Sequence, residues 1–143
     1  MNIERAIAIA LQAHQGQLDK GGHPYILHPL AVMNRVHTLD EKIVAVLHDV
    51  VEDSDVTLEE LRREGFEEPI IEAVARLTKS EGDSYEKFIA RVSTHTLARS
   101  VKIADIQENM DLSRIPNPTD EDQRRLDKYE RALRLLGYPQ ASI

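Results

Sequence analysis

The stretch Ile43-Val44-Ala45-Val46-Leu47-His48-Asp49-Val50-Val51-Glu52-Asp53 runs from five consecutive apolar residues into four ionisable groups within six positions. Neither this stretch nor any other segment alternates apolar and polar residues at period two between turn residues. Apolar residues instead recur at helical spacing nearly everywhere, so the expected fold is all-α. N-terminal to the stretch, a first helix is expected over residues 3–15, with Ile3, Ile7, Ala10, Leu11 and His14 on one stripe, ended by Gly16. Residues 16–27 carry three Gly and one Pro and read as an ordered loop, long enough to be a candidate functional loop. Pro29 suits the first position of a helix running to about residue 39, and Asp40 can cap the next, from 41 to about 53. C-terminal to the stretch, Thr57-Leu58-Glu59-Glu60 and Asp83-Ser84-Tyr85-Glu86 read as capping boxes that start helices at Leu58 and Ser84. Further helices are expected over 67–79 and over 96–111, the latter with Leu97, Val101, Ala104 and Glu108 in a stripe. Pro116 and Pro118 impose a turn, and Thr119 caps a last helix that stops before Gly137.

The chain has 143 residues, which suits one domain over 1–143. Hydrophobic residues make up 41% but aromatics only 4%, without Trp, so the core must be aliphatic. The absence of Cys excludes disulfides, thiolate zinc sites, iron–sulfur clusters and Cys nucleophiles, so any metal must sit on N and O ligands. No apolar run approaches the roughly 18 residues of a membrane span, and the start lacks the layout of a signal peptide. A soluble, cytoplasmic protein without a membrane partner is expected. The formal net charge of -7 argues against nucleic acid as a partner, because binding many phosphates requires clustered Lys and Arg.

In a continuous helix His48 and Glu52 lie at i,i+4, as do Asp49 and Asp53. Carboxylates gathered at a helix C-terminus repel one another and oppose the macrodipole, a cost that a cation would remove; a solvated helix end is the alternative. His28 lies where the Gly-rich loop enters the second helix, and Asp105 follows Val101-Lys102-Ile103-Ala104. With His48 and Asp49 they make two imidazoles and two carboxylates from three helices, a set suited to Mn, Fe, Co or Zn with positions left open. Spacing alone does not pair them.

Gly22-His23-Pro24-Tyr25-Ile26-Leu27-His28-Pro29, then His48-Asp49-Val50-Val51-Glu52-Asp53, then Val101-Lys102-Ile103-Ala104-Asp105 with Asn109 resemble the HD-type hydrolase domain of RelA/SpoT proteins and small alarmone hydrolases. The resemblance runs from about residue 6 to 136. It implies a helical bundle with a metal site between helices, acting as a metal-dependent phosphohydrolase that removes the 3′-pyrophosphate from ppGpp- or pppApp-like nucleotides, usually with Mn²⁺. By motif, His28, His48, Asp49 and Asp105 would be the metal ligands, and Glu52 and Asp53 the catalytic pair handling the nucleophilic water. Lys20, Asn109, Arg125 and Tyr129 would contact the small phosphorylated nucleotide. Asp19 stands where the family carries an Arg that helps hold the base, which leaves guanine and adenine both open. No stretch resembling the family's synthetase domain follows, so the chain is expected to degrade and not make such nucleotides. Lys87 and Arg91 could reach phosphates, though exposed helix charges are the simpler reading. His14 reads as a satisfied core or boundary residue, Tyr25 as loop packing, and His23, His37 and His95 receive no role. Two rival functions remain at this point. One is an HD phosphohydrolase acting on a nucleoside monophosphate or NADPH. The other is a non-catalytic nucleotide-sensing module, which would have no use for acids whose desolvation is expensive.

Overall fold

The computed structural model describes residues 2–111 and 117–137. Among these the chain is helical, and its extended pairing is confined to one isolated antiparallel bridge between Leu18 and Pro24. The helices are α1 (Ile3–Ala13), α2 (Leu27–Arg35), α3 (Leu39–Leu47), α4 (Val50–Asp53), α5 (Leu58–Arg63), α6 (Glu68–Leu77), α7 (Tyr85–Ser93), α8 (Thr96–Asn109) and α9 (Asp120–Leu135). No helix among the described residues is long and apolar enough to cross a membrane.

The apolar run decides the centre of the bundle. Ile43, Val44, Ala45, Val46 and Leu47 are all buried, as a helix apolar on every side must be, and α3 packs against α1, α2, α6 and α8. Among the described residues the buried side chains form one contiguous aliphatic core with only Phe66 and Phe88 as buried aromatic hydrophobics.

Several boundaries differ from expectation for local reasons. Helix α2 begins at Leu27, so Pro29 is its third residue, still within the first turn whose N–H groups lack helical partners. Thr38, not Asp40, caps α3: its hydroxyl accepts the Glu41 N–H at 3.1 Å while Glu41 Oε1 accepts the Thr38 N–H at 2.8 Å. Ser84, not Asp83, caps α7, because Asp83 is drawn into an ion pair with Arg91 at 2.7 Å. The expected continuous helix over 41–53 is interrupted at His48-Asp49. There the His48 ring Nδ1 bonds the Ala45 carbonyl at 2.5 Å, the acceptor that the Asp49 N–H would use in an unbroken helix. Thr119 caps α9 as expected, with Asp122 closing the box. The turn expected at Pro116 lies outside the described residues.

The loop before α2 is ordered by its own backbone. Asp19 N–H donates to the His23 carbonyl and Tyr25 N–H to the Gln17 carbonyl, both at 2.8 Å. The Asp19 carboxylate Oδ1 accepts the Gly21 and His23 N–H groups, each at 2.9 Å. Gly16, at φ +83°, supplies the left-handed turn that releases the chain from α1 into this loop.

The α3 cap gives a stability prediction with a pH signature. Burial alone would raise the Glu41 carboxyl pKa, but N–H donation from Thr38 and His37 holds it below its ordinary value. The folded state therefore binds that proton more weakly than the unfolded state, whose Glu titrates at about 4.3. The contribution is fully present above that value and is lost as pH falls through the folded pKa. Glu41→Ala is expected to cost about 1 kcal/mol in urea unfolding at pH 7, with the gap to wild type shrinking at pH 3. A gap constant across that range would refute the assignment.

Candidate functional site

Two helices and the break after α3 deliver the ionisable set to one place. His28 comes from the first turn of α2, His48 and Asp49 from the junction of α3 and α4, and Asp105 from the third turn of α8. His28, His48 and Asp49 each offer one ligand-type atom, and these lie within 4.8 Å of one another. Asp105 Oδ1 lies 2.7 Å from His28 Nε2 and 3.3 Å from His48 Nε2, and Asp49 Oδ2 lies 3.1 Å from His48 Nε2. His28, His48 and Asp105 are buried.

The set fits a divalent cation on chemistry as well as position. With Nδ1–H of His48 committed to the Ala45 carbonyl, its Nε2 is the ring nitrogen turned toward the carboxylates, and that buried Nε2 has no aligned hydrogen-bond partner. A backbone carbonyl fixing the far ring nitrogen is how ligand imidazoles are usually oriented. Burial would lower the His48 pKa, but the Asp49 and Asp105 charges raise it well above the ordinary value. Burial would likewise raise Asp49, yet His48 brings it down to about 2. Asp105 also ends well below its usual range, against burial, because of the Lys102 ammonium and His48. In the metal-free cluster a protonated His48 and the Lys102 ammonium balance the two carboxylates, and a divalent cation would take the place of the His48 proton.

Around it, Tyr25 donates its hydroxyl to Asp49 Oδ2. Lys102 Nζ donates to Asp105 Oδ2 at 2.8 Å, and Asn109 Nδ2 reaches Asp105 Oδ1 at 3.4 Å. The rings of His14, Tyr25, His28 and His48 follow one another with centroids 5.0, 5.6 and 5.8 Å apart. Tyr25 is therefore more than loop packing, and Lys102 is a neighbour of the cluster that sequence reasoning missed. Lys102 sits at i,i+3 from Asp105, a helical ion-pair spacing that was legible; nothing local links Tyr25 to Asp49.

A cleft of about 330 Å³ opens beside His28, lined among others by Asp19, Lys20, Tyr25, Asn109, Arg125 and Tyr129. The four residues singled out as nucleotide contacts thus share one cavity next to the ionisable cluster. Arg125 is tethered there by Asp122 Oδ1 at 2.8 Å. The Asp19 carboxylate is engaged through Oδ1 by its own loop.

The acidic pair divides. Glu52 Oε1 accepts the Lys79 N–H at 2.8 Å. Asp53 borders a separate cleft of about 650 Å³ with Arg5, Glu60 and Glu64, larger than the first but without any His or any of the other clustered acids. Burial, then the Asp49 and Glu52 charges, push the Asp53 carboxyl up. Its backbone is held by Gln17, whose Nε2 donates to the Asp53 carbonyl at 2.9 Å while Oε1 lies 2.9 Å from His14 Nδ1. His14 is only half satisfied, because its buried Nε2 has no partner. His23 does have an acidic neighbour, Asp19 at 3.6 Å, and His95 caps α8 by accepting the Ala98 N–H. Arg91 is committed to Asp83 and to the Thr78 carbonyl, and Lys87 is not among the residues lining the cleft.

Residues 6–110 match the HD domain family. Among curated relatives, the chain is 35% identical over 128 residues to a protein of Mycobacterium leprae named probable GTP pyrophosphokinase, covering 81% of this chain and 16% of that one. It is 32% identical over 136 residues to one of Synechocystis named probable guanosine-3′,5′-bis(diphosphate) 3′-pyrophosphohydrolase, covering 85% and 18%. The chain thus spans less than a fifth of the length of these relatives. A solved structure of a metazoan ortholog of SpoT, described as hydrolyzing ppGpp, superimposes with a TM-score of 0.74 at 22% identity, over 94% of this chain and 82% of that one, a likeness of fold. With the family match extending over the helices that carry His28, His48, Asp49 and Asp105, the chain belongs to the HD domain family.

Proposed function

We propose that the chain is a metal-dependent phosphohydrolase that removes the 3′-pyrophosphate from guanosine-3′,5′-bis(diphosphate)-like nucleotides in the cytoplasm, with Mn²⁺ as the cation. The observation that carries this reading is the convergence of two imidazoles and two carboxylates beside a cleft lined by Lys20, Asn109, Arg125 and Tyr129. The names of the relatives supply the substrate class.

His28, His48, Asp49 and Asp105 would hold the ion, which when bound supplies Lewis acidity, offsetting phosphate charge and acidifying water. Tyr25 and Lys102 fix the orientation of the two carboxylates. Glu52, with one oxygen fixed by the Lys79 N–H, has its second oxygen to take the proton of the attacking water. Asp53, whose carboxyl is pushed up by burial and by the charges of Asp49 and Glu52, is the second acid of the pair. Water adds to the phosphorus bonded to the 3′-oxygen, the bond between them breaks, and the 3′-oxygen departs with a proton as pyrophosphate is released. Lys20, Arg125 and Asn109 bind and orient the nucleotide, and Tyr129 offers a ring for the base or sugar.

The test is incubation of the Mn²⁺-loaded protein with ppGpp, pppApp, AMP and NADPH. Pyrophosphate is expected from one or both of the first two. Release of orthophosphate alone, from any of them, would overturn the proposal.

A further inference from the structure

Gln17, in the loop before α2, reaches both ends of the segment that carries the acids. It is half-buried, and its side-chain Nε2 donates to two carbonyls, Asp53 at 2.9 Å and Ala13 at 3.3 Å. Its Oε1 can only accept, and it takes the Nδ1–H of His14 at 2.9 Å. The Gln17 carbonyl accepts the Tyr25 N–H at 2.8 Å, and the Tyr25 hydroxyl in turn donates to Asp49 Oδ2. The His14 ring also packs on Tyr25, with centroids 5.0 Å apart. Gln17 therefore holds Asp53 directly and Asp49 through Tyr25.

Helix α4 needs such support. Its four residues, Val50–Asp53, are too few to hold a helical turn unaided, and its last carbonyls have no partner within it. Ser54 Oγ donates to the Val50 carbonyl at 2.7 Å, and Gln17 serves the Asp53 carbonyl from 36 positions away. Folding alone gives no reason for a histidine at position 14. The residue is 2% exposed, and with Nδ1–H given to Gln17 its Nε2 is a buried acceptor with no donor among the described residues. An apolar side chain would avoid that cost. What the imidazole provides is a donor that fixes which way the Gln17 amide faces, with Nε2 and not Oε1 toward Asp53.

We infer that Gln17 and His14 are positioning residues of the proposed hydrolase: the His14 ring orients the Gln17 amide, and that amide fixes the end of α4, so that Glu52 and Asp53 keep one direction relative to Asp49. This rests on the hydrolase reading and deepens it. Because Tyr25 is held by the Gln17 main chain and Asp53 by its side chain, a change of that side chain disturbs the acidic pair and spares the tyrosine that orients Asp49.

The test uses Gln17→Met, which keeps the length of the side chain and removes its hydrogen bonds, together with His14→Leu and His14→Asn. The last of these places an amide N–H where the Nδ1–H stood. Steady-state hydrolysis of ppGpp and pppApp, Mn²⁺ content, urea unfolding and hydrogen exchange over residues 50–53 are measured for each variant and wild type. Gln17→Met and His14→Leu are expected to lower kcat by roughly tenfold to 10²-fold, as misplacement of a catalytic group does, with KM and Mn²⁺ stoichiometry unchanged. Exchange over 50–53 should quicken in both while the rest of the chain keeps its protection. His14→Asn should recover most of each loss. A merely structural pair would cost stability in urea and leave kcat of the folded protein intact. Wild-type kcat in folded Gln17→Met, loss of its Mn²⁺, or His14→Asn as slow as His14→Leu overturns the inference and leaves the hydrolase reading standing; should Gln17→Met not fold, the two His14 variants decide by the same measurements. A wild type that releases no pyrophosphate overturns the hydrolase reading. In that case quicker exchange over 50–53 in the variants still supports the hold on α4, and unchanged exchange overturns it.

Discussion

Asp49→Ala is expected to abolish Mn²⁺ binding and turnover together, whereas Glu52→Ala leaves the ion bound and slows turnover by about 10²-fold or more. The two acids lie three residues apart, but the break in α3 gives them different surroundings. Asp49 Oδ2 sits 3.1 Å from His48 Nε2 and receives the Tyr25 hydroxyl, so its removal takes away one proposed ligand and frees the group that oriented it. Glu52 is exposed and spends one oxygen on the Lys79 N–H, outside the set of atoms that converge on His28. Metal content by elemental analysis and pyrophosphate release by a coupled assay separate the two effects. Mn²⁺ retained at wild-type stoichiometry by Asp49→Ala, or full turnover by Glu52→Ala, would refute the assignment of roles.

The legibility of these features in the sequence follows the range of the interactions that create them. The five apolar residues from Ile43 to Leu47 announce a helix buried on all sides, because their pattern needs no partner to be read. The interruption after Leu47 is not legible in the same way, since it depends on the ring orientation that lets His48 compete for the Ala45 carbonyl. Thr38 and Glu41 stood at capping-box spacing in plain view, yet Asp40 qualifies equally as a cap, and only the chain path chooses between them. At the site, His28 and Asp105 are 77 positions apart and Tyr25 and Asp49 are 24 apart. No periodicity connects such pairs, and the resemblance of ordered motifs was the one signal that brought the first pair together.

Lys102→Met is expected to destabilise the metal-free protein by about 3 kcal/mol and to make its stability steeply dependent on Mn²⁺. Lys102 Nζ is 2.8 Å from Asp105 Oδ2 and 5.2 Å from the centroid of the Phe88 ring, in a position where burial would lower its pKa but the Asp105 charge holds it above the ordinary value. Methionine fills the volume of the stem and removes the charge, so the loss is chiefly that of a buried carboxylate deprived of its cation. His28 and His48 remain beside Asp105 and limit the damage by sharing its charge. A divalent ion held by the same carboxylate would compensate far more completely. In the variant it would also meet no ammonium competing for Asp105 and repelling it, so Mn²⁺ should bind more tightly than in wild type and add a larger ligation term to stability. Urea unfolding of both proteins in EDTA and in excess Mn²⁺ measures this directly. The gap between them should be widest in EDTA and should narrow when Mn²⁺ is present, and a gap of equal size under both conditions would show that Lys102 does not share Asp105 with the metal.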